Sequence, residues 1–379
     1  MAVSDPQKSK NKDVSNGENL SEAPADEVLG SLPSYFQDRS SVLIEPTQPI
    51  NLGTEECPQI IHVAQSLSDE EKTQFAQLFQ DKKVNFAWTY SDMPGLDTDL
   101  IMHHLSISPD VKPVKQKLRK MHPHVALLVK AELEKLLNAN FIRAIDYAEW
   151  ISNIVPVSKH DKTIQVCTDF RDLNKACPKD DFPLPNIDMI VDMTAGYEMY
   201  SLMDGFSGYN QIKIAPTDQE KTAFTCAWGT FCWNVMPFGL KNAGATYQRA
   251  MTTIFHDMMH KNMEDYVDDR LAKSKKKDTH LGDLSLILDS MEQFQLRLNP
   301  KKCSFGVTSE KLLGYIISAK GIEVDPEKVQ AIMDMPPPKN ISQLRSLQGR
   351  LQSIRRFISQ LADKAQAFNK NLHKGSTHI

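Results

Sequence analysis

Two spacings of apolar residues alternate along this chain, and the switches between them mark out its elements. Leu284, Ile287, Leu288 and Met291 recur at i, i+3, i+4 and i+7, which predicts a helix over 281–294. Pro123 opens another, running to about Asn140, with Leu127, Leu128, Leu133, Leu136 and Leu137 expected on one broad face. Ser68 followed by Glu71 has the form of a capping box, and Phe75, Leu78 and Phe79 follow at helical spacing. Further helices are expected over 245–259, 326–334 and 341–361. The last places Leu344, Leu347, Leu351, Ile354 and Ile358 on one face, with Arg345, Arg350, Arg355 and Arg356 beside them. Strand patterns fall at 101–120, 150–159, 164–170, 199–203, 211–214, 223–235 and 312–317. A turn at His160-Asp161-Lys162 makes the second and third of these a hairpin.

Two strands end in carboxylates. Met263 to Leu271 reads Met-Glu-Asp-Tyr-Val-Asp-Asp-Arg-Leu. Tyr266 and Val267 favour an extended chain, and Asp268 and Asp269 favour a turn, so a hairpin is expected there. Asp204 ends the strand that starts at Met199. If the two strands are neighbours, three carboxylates meet. Their repulsion is tolerable only when divalent cations neutralise it, which suits two-metal phosphoryl transfer. The turn Gly205-Phe-Ser-Gly-Tyr-Asn-Gln211 brings backbone N–H groups close to Asp204, where they can cradle phosphate oxygens.

Composition narrows the class. The 379 residues are 41% hydrophobic and 24% charged, ordinary for a globular protein, with no apolar run long enough for a membrane span. The N-terminus has no apolar core, so no secretory signal is expected, and the location expected is cytoplasmic or nuclear. Six cysteines without a C-x-x-C pair read as reduced thiols. The net charge of −4 is uneven: residues 1–60 carry −6, leaving +2 on the rest. That leader is polar and acidic, and is expected to be disordered. A basic run, Lys112, Lys115, Lys117, Arg119 and Lys120, suits either a solvated face or a phosphate-facing one.

The order of motifs across roughly 85–360 resembles the reverse transcriptase region of the Pol polyprotein of a plant gypsy-type long-terminal-repeat retrotransposon. The residues that carry this are Phe86-Ala-Trp-Thr-Tyr-Ser-Asp-Met-Pro-Gly-Leu96, Thr168-Asp-Phe-Arg-Asp-Leu-Asn-Lys-Ala-Cys-Pro-Lys-Asp180, Phe182-Pro-Leu-Pro-Asn-Ile, Ser201-Leu-Met-Asp-Gly-Phe-Ser-Gly-Tyr-Asn-Gln-Ile212, Val235-Met-Pro-Phe-Gly-Leu-Lys-Asn-Ala-Gly-Ala-Thr-Tyr-Gln248, Tyr266-Val-Asp-Asp269, Leu298-Asn-Pro-Lys-Lys-Cys and Leu313-Gly-Tyr315. Each alone is weak; in this order they are specific.

The resemblance implies an α+β right-hand polymerase, its palm an antiparallel sheet packed on helices. It divides the chain into a leader (1–60), a helical linker (61–100), fingers (101–180 and 213–240), palm (181–212 and 241–321) and a partial thumb or connection (322–379). It implies RNA-directed DNA polymerase activity with two Mg²⁺ ions, or Mn²⁺ in their place. The implied partners are a primed RNA or DNA template, deoxynucleoside triphosphates and a dimeric or polyprotein partner, but no membrane. Asp204, Asp268 and Asp269 match the metal-binding aspartates. Tyr209 matches the ring that crowds the sugar 2′ position, with Gly208 before it. Phe238, Arg171 and Gln165 match positions at the incoming nucleotide. Leu313, Gly314 and Tyr315 match the primer grip, and Lys301 or Lys302 a proton donor to pyrophosphate.

Three positions depart from that pattern. The family has arginine where Gln165 stands, and apolar residues at Asp265 and Arg270. Neither a protease motif, a zinc knuckle nor an integrase region is found, so the chain is expected to be an excised piece of a polyprotein. The departures keep a second class open: a weakly active or inactive retroelement-derived remnant that binds nucleic acid or protein.

Overall fold

The computed structural model describes residues 44–158 and 164–366. These fall into two compact units that meet in sequence at Asp325 and Pro326. The larger unit is built on three sheets. A six-stranded sheet has the order β1 (Thr47–Asn51), β2 (Ile60–Ala64), β11 (Ser304–Val307), β6 (Met199–Asp204), β10 (Asp269–Ser274), β9 (Met263–Tyr266). All its neighbours are antiparallel except β2 with β11. A five-stranded sheet has the order β3 (Ile142–Ala144), β8 (Gly229–Trp233), β7 (Phe224–Cys226), β4 (Ser152–Ser158), β5 (Ile164–Thr168). The third is the meander β12 (Ser309–Leu312), β13 (Tyr315–Ser318), β14 (Gly321–Val324).

The six-stranded sheet takes its core from helices on either side of it in sequence. Helix α1 (Asp69–Asp81) starts at the Ser68–Glu71 capping box, both halves of which are formed. It buries Phe75 and Phe79, and the Phe79 and Phe305 rings lie 4.5 Å apart between centroids. Helices α2 (Pro123–Asn138) and α3 (Arg171–Ala176) belong to the region of the five-stranded sheet. Helix α4 (Ile187–Thr194) precedes β6, and α5 (Ala243–Ile254) precedes β9. Helix α6 (His280–Gln293) packs on β10 and buries all four residues of its predicted stripe, Leu284, Ile287, Leu288 and Met291. At its start His280 is buried between two serines, with Nε2 2.7 Å from Ser201 Oγ and Nδ1 2.9 Å from Ser274 Oγ. The smaller unit contains α7 (Pro326–Met333), α8 (Ile341–Ser353) and α9 (Leu361–Lys364), with Leu344 fully buried.

Several expectations need correction. The disordered leader does not reach residue 60, because 47–51 pair with 60–64. Pro49 is compatible with that strand since it lies at the sheet edge, where no ladder donor is missed. Residues 1–43 lie outside the described residues, as do the His160-Asp161-Lys162 turn and residues 367–379. The stretch 101–120 is not a strand; its ladder pairing is limited to isolated bridges, His103 with Ile214 and Lys115 with Ile151, and Gln116, Lys117 and Arg119 are tied to Asn153 of β4 by hydrogen bonds. Pro109 and Pro113 interrupt its ladder. The leucines of α2 do not share a face, and Leu127 is 67% exposed. At 100° per residue they spread around the helix, whereas the buried set Val129, Leu133 and Leu136 falls within one narrow arc.

The stretch 223–235 is two short strands joined by a turn, and 211–214 is not a strand: it begins at the last residue of a 3₁₀ turn (Gly208–Gln211) and makes two isolated bridges, Lys213 with Val235 and Ile214 with His103. The strand expected at 312–317 breaks at Leu313-Gly314, the turn of the β12–β13 hairpin. The helix expected over 341–361 ends at Ser353 and a single 3₁₀ turn follows at 355–357, although no Gly or Pro marks the break.

Candidate active site

The register of β6 and β10 sets Asp204 directly opposite Asp269. Asp268 comes from the two-residue turn between β9 and β10, in which Tyr266 pairs with Asp269. That turn holds Val267 at φ 55, a left-handed conformation that costs a β-branched residue about 1–3 kcal/mol. Gln248, fully enclosed on α5, stabilises it: its Oε1 accepts from the Val267 N–H at 2.9 Å. The facing turn, 205–208, carries a second such residue, Ser207 at φ 47. Gly208 is needed there, since a Cβ would lie 2.8 Å from the Tyr247 hydroxyl and 3.2 Å from Asp268 Oδ1. Two strained turns thus converge on the carboxylates, a common signature of functional sites.

The electrostatics are those of crowded acids. Burial, then the neighbouring charges of Asp204 and Asp269, push the Asp268 carboxyl up to about 6. Burial and Asp204 raise Asp269 as well. Lys302 opposes both, and its Nζ stands 2.7 Å from Asp204 Oδ2. Among the described residues no three His, Cys, Asp or Glu side chains form a closed metal cage. The donors nevertheless fit a hard divalent ion: hard carboxylate oxygens, mutually repelling and half-buried, at a site where phosphate and water oxygens complete the shell. Such ions characteristically take one or two carboxylates plus substrate phosphates rather than an all-protein cage.

Asp204 and Asp268 open on a cavity of about 630 Å³ between the six- and five-stranded sheets. Its walls include Asp204, Asp268, Gly208, Gln165, Phe238 and Lys302. Tyr209 does not line it but backs it: its ring lies 4.8 Å from that of Phe238 and 5.2 Å from that of Tyr247, and burial raises its hydroxyl to about 12. Asp269 does not line it either.

The remaining residues picked from sequence stand apart from the cavity. Arg171 makes a two-pronged contact with Asp169, at 2.8 Å from both Nε and Nη2, and Arg119 joins them at 2.7 Å. The Arg171 guanidinium, ahead of Arg119, holds the Asp169 carboxyl well below the usual range. Leu313 and Gly314 form a two-residue hairpin turn with both φ values positive, 51 and 80, and Tyr315 is buried just after it. Lys301 does not line the cavity.

Residues that sequence reasoning missed serve as supports. Gln211 is fully buried, donates to the Phe206 and Arg297 carbonyls and accepts from the Arg297 N–H, fixing the 205–211 turn to the chain before β11. Tyr90 and Glu132 line the far wall, with the Tyr90 hydroxyl 3.3 Å from Glu132 Oε1. Tyr90 sits inside a motif that pointed to the family, but an isolated tyrosine gives no role.

Beneath the acidic turn lie the two departures, Asp265 and Arg270. They are paired across the hairpin and both are fully buried. Arg270 Nε is 3.4 Å from Asp265 Oδ1. The guanidinium also contacts the Tyr247 hydroxyl and Met251 Sδ, and Gln248 donates to Asp265 Oδ2 at 2.9 Å. Yet Arg270 Nη1 and Asp265 Oδ1 have no hydrogen-bond partner. Burial lowers the guanidinium to about 10 and raises the carboxyl well above its ordinary range. The same hairpin holds a second buried pair, Lys273 and Glu264, 2.7 Å apart.

Comparison with known proteins agrees with this geometry. Residues 157–317 match the family model described as reverse transcriptase (RNA-dependent DNA polymerase). The chain is 33% identical over 251 residues to the retrovirus-related Pol polyprotein from transposon opus of Drosophila melanogaster, covering 65% of this chain and 25% of that protein. It is 34% identical over 194 residues to the Pol polyprotein from transposon gypsy of the same species, covering 51% and 19%. The Tf2-3 polyprotein of Schizosaccharomyces pombe is 30% identical over 218 residues, covering 58% and 16%. The chain thus spans about a quarter or less of the length of these relatives. Among solved structures, the foamy viral protease-reverse transcriptase in complex with double-stranded DNA superposes with a TM-score of 0.75 at 19% identity, covering 83% of this chain and 54% of that one. The same viral protein in complex with an RNA/DNA hybrid gives 0.70 at 20% identity, covering 80% and 40%. The fold is that of a retroviral-type reverse transcriptase, α+β with mainly antiparallel sheets.

Proposed function

We propose that this chain is an RNA-directed DNA polymerase domain of a gypsy-type long-terminal-repeat retrotransposon, of the plant branch on the wording of its motifs. It extends a primer on an RNA or DNA template with deoxynucleoside triphosphates, as a piece of a Pol polyprotein working in the cytoplasm or nucleus. The observation that carries this is the meeting of Asp204, Asp268 and Asp269 at a strained turn facing a cavity. In this reading the six-stranded sheet is the palm, the five-stranded sheet belongs to the fingers, and residues 322–379 begin the thumb or connection.

Asp204, Asp268 and Asp269 would hold two Mg²⁺ or Mn²⁺ ions. When bound, these neutralise the carboxylates, activate the primer 3′-hydroxyl and stabilise the leaving pyrophosphate. The chain's own residues supply position. The backbone of the 205–208 turn faces the triphosphate. Tyr209, stacked on Phe238 beside the incoming nucleotide, crowds the sugar 2′ position and excludes a 2′-hydroxyl. Gln165 offers the phosphates a neutral hydrogen bond. Arg171 steers the fingers toward the nucleotide, and Leu313, Gly314 and Tyr315 seat the primer end. Lys302, which lines the cavity where Lys301 does not, is the lysine we assign to give its proton to the departing pyrophosphate.

One observation favours a second reading, a weakly active or inactive remnant that binds nucleic acid. Gln165 puts a neutral amide on the cavity wall where the family has an arginine, so one charge-assisted phosphate contact is lost, at a cost of about 1.5–3 kcal/mol of binding. Primer extension on poly(rA)/oligo(dT) with Mg²⁺ or Mn²⁺ separates the two. Template-dependent incorporation of deoxynucleotides, increased by Gln165→Arg, supports the polymerase. Intact duplex binding without incorporation, in both wild type and Gln165→Arg, supports the remnant.

A further inference from the structure

Lys302 is the single cationic residue on the cavity wall among the described residues, and it is spent on a carboxylate. Its Nζ lies 2.7 Å from Asp204 Oδ2 while its side chain is 65% exposed. No packing locks it there, so the contact can exchange cheaply with an incoming cation. The backbone, in contrast, is held in place. Lys302 N–H donates to the Asn299 carbonyl at 3.0 Å, and Asn299 N–H donates to the Asp204 carbonyl at 2.8 Å. The turn that carries the lysine is therefore tied to the residue whose side chain it pairs with. Its charge also acts across space on Asp268 and Asp269. The other cation close to the cluster, Arg270, is fully buried beneath the turn and cannot leave.

We propose that Lys302 is the resident counter-ion of the three carboxylates, seated on Asp204 until a divalent cation displaces it, so that this one side chain sets the divalent-ion affinity of the site. The proposal rests on the reading of these carboxylates as metal ligands. It differs from a proton-donor role in acting before any nucleotide is present. A tethered positive charge competes with an incoming divalent ion for the same oxygen, and release leaves the ammonium free for the phosphates that arrive afterwards.

The test is Mn²⁺ binding to the full chain without primer, template or triphosphate, followed by electron paramagnetic resonance of the free ion. Lys302→Met and Lys302→Gln remove the charge from an exposed position, Lys302→Arg keeps it, and Asp204→Asn reports on the site itself. Both neutral variants should bind Mn²⁺ roughly threefold to fivefold tighter than wild type, as expected for loss of a partly exposed ion pair. Lys302→Arg should stay within about twofold, because the competing charge is kept. Unchanged or weaker binding in both neutral variants, with the site still removed by Asp204→Asn, overturns the counter-ion role and leaves the polymerase reading standing. Binding that Asp204→Asn does not affect overturns both.

Discussion

The β9–β10 hairpin carries two fully buried ion pairs, and they differ in how completely their polar atoms are partnered. Lys273 Nζ lies 2.7 Å from Glu264, 2.5 Å from the Met193 carbonyl and 4.5 Å over the Tyr197 ring. The second oxygen of Glu264 meets His260 Nδ1 at 2.8 Å. Arg270 and Asp265 stand farther apart, at 3.4 Å, and leave one nitrogen and one oxygen without hydrogen bonds. A buried pair repays its desolvation only when its remaining donors and acceptors are satisfied. The saturated pair is thus a structural staple. The unsaturated one, next to the acidic turn, is a standing cost that the six-stranded sheet carries.

Breaking the staple should produce the largest effect. Glu264→Leu leaves Lys273 charged and without its carboxylate, and should cost about 3–5 kcal/mol of unfolding free energy in urea titration. Replacing the other pair as a unit should do the opposite. The double variant Asp265→Val with Arg270→Ile should gain up to about 4 kcal/mol, whereas Asp265→Val alone should lose stability by leaving Arg270 unpaired. A loss in the double variant would erase the distinction between the pairs.

The same contrast recurs in two buried histidines, and pH sharpens it. Burial lowers both His280 and His103 to about 4. Both ring nitrogens of His280 are partnered, while His103 Nε2 has no partner. Since the folded values lie below the ordinary 6.5, the unfolded chain binds more protons between them. Stability should therefore fall as pH drops from about 6.5 to about 4, by about 2–3 kcal/mol for each histidine. His103→Leu should remove its share of that slope and cost little at neutral pH, whereas His280→Leu should strand Ser201 and Ser274 and cost more. Thermal melts across that range report both. The smallest effect is expected at the turn: Val267→Gly relieves a positive φ and should stabilise by about 1 kcal/mol while loosening the placement of Asp268.

What could be read from sequence follows the range of the interactions involved. The α6 stripe, the Ser68 cap and the acidic hairpin are local patterns, and they form as expected. The pairing of Asp204 with Asp269 joins distant strands; local patterns leave it as a condition, and only the order of motifs implies it. The cross-hairpin contact of Asp265 with Arg270 joins two positions that depart from the family pattern, and its incomplete hydrogen bonding is a matter of side-chain geometry. Gln248 and Gln211 gave no signal, because an amide that saturates a turn looks in sequence like any surface glutamine. The stretch 101–120 misled because alternation outweighed Pro109 and Pro113.

The central claim, that the carboxylates of β6 and the β9–β10 turn perform nucleotide addition, is tested most directly by single-nucleotide incorporation onto a primed RNA template. Wild type should be compared with Asp204→Asn, Asp268→Asn and Asp269→Asn, with duplex affinity measured in parallel. Each substitution should reduce the rate by at least about a thousandfold, on the order of 4 kcal/mol of transition-state stabilisation, with duplex affinity unchanged. Incorporation that survives all three substitutions would contradict it.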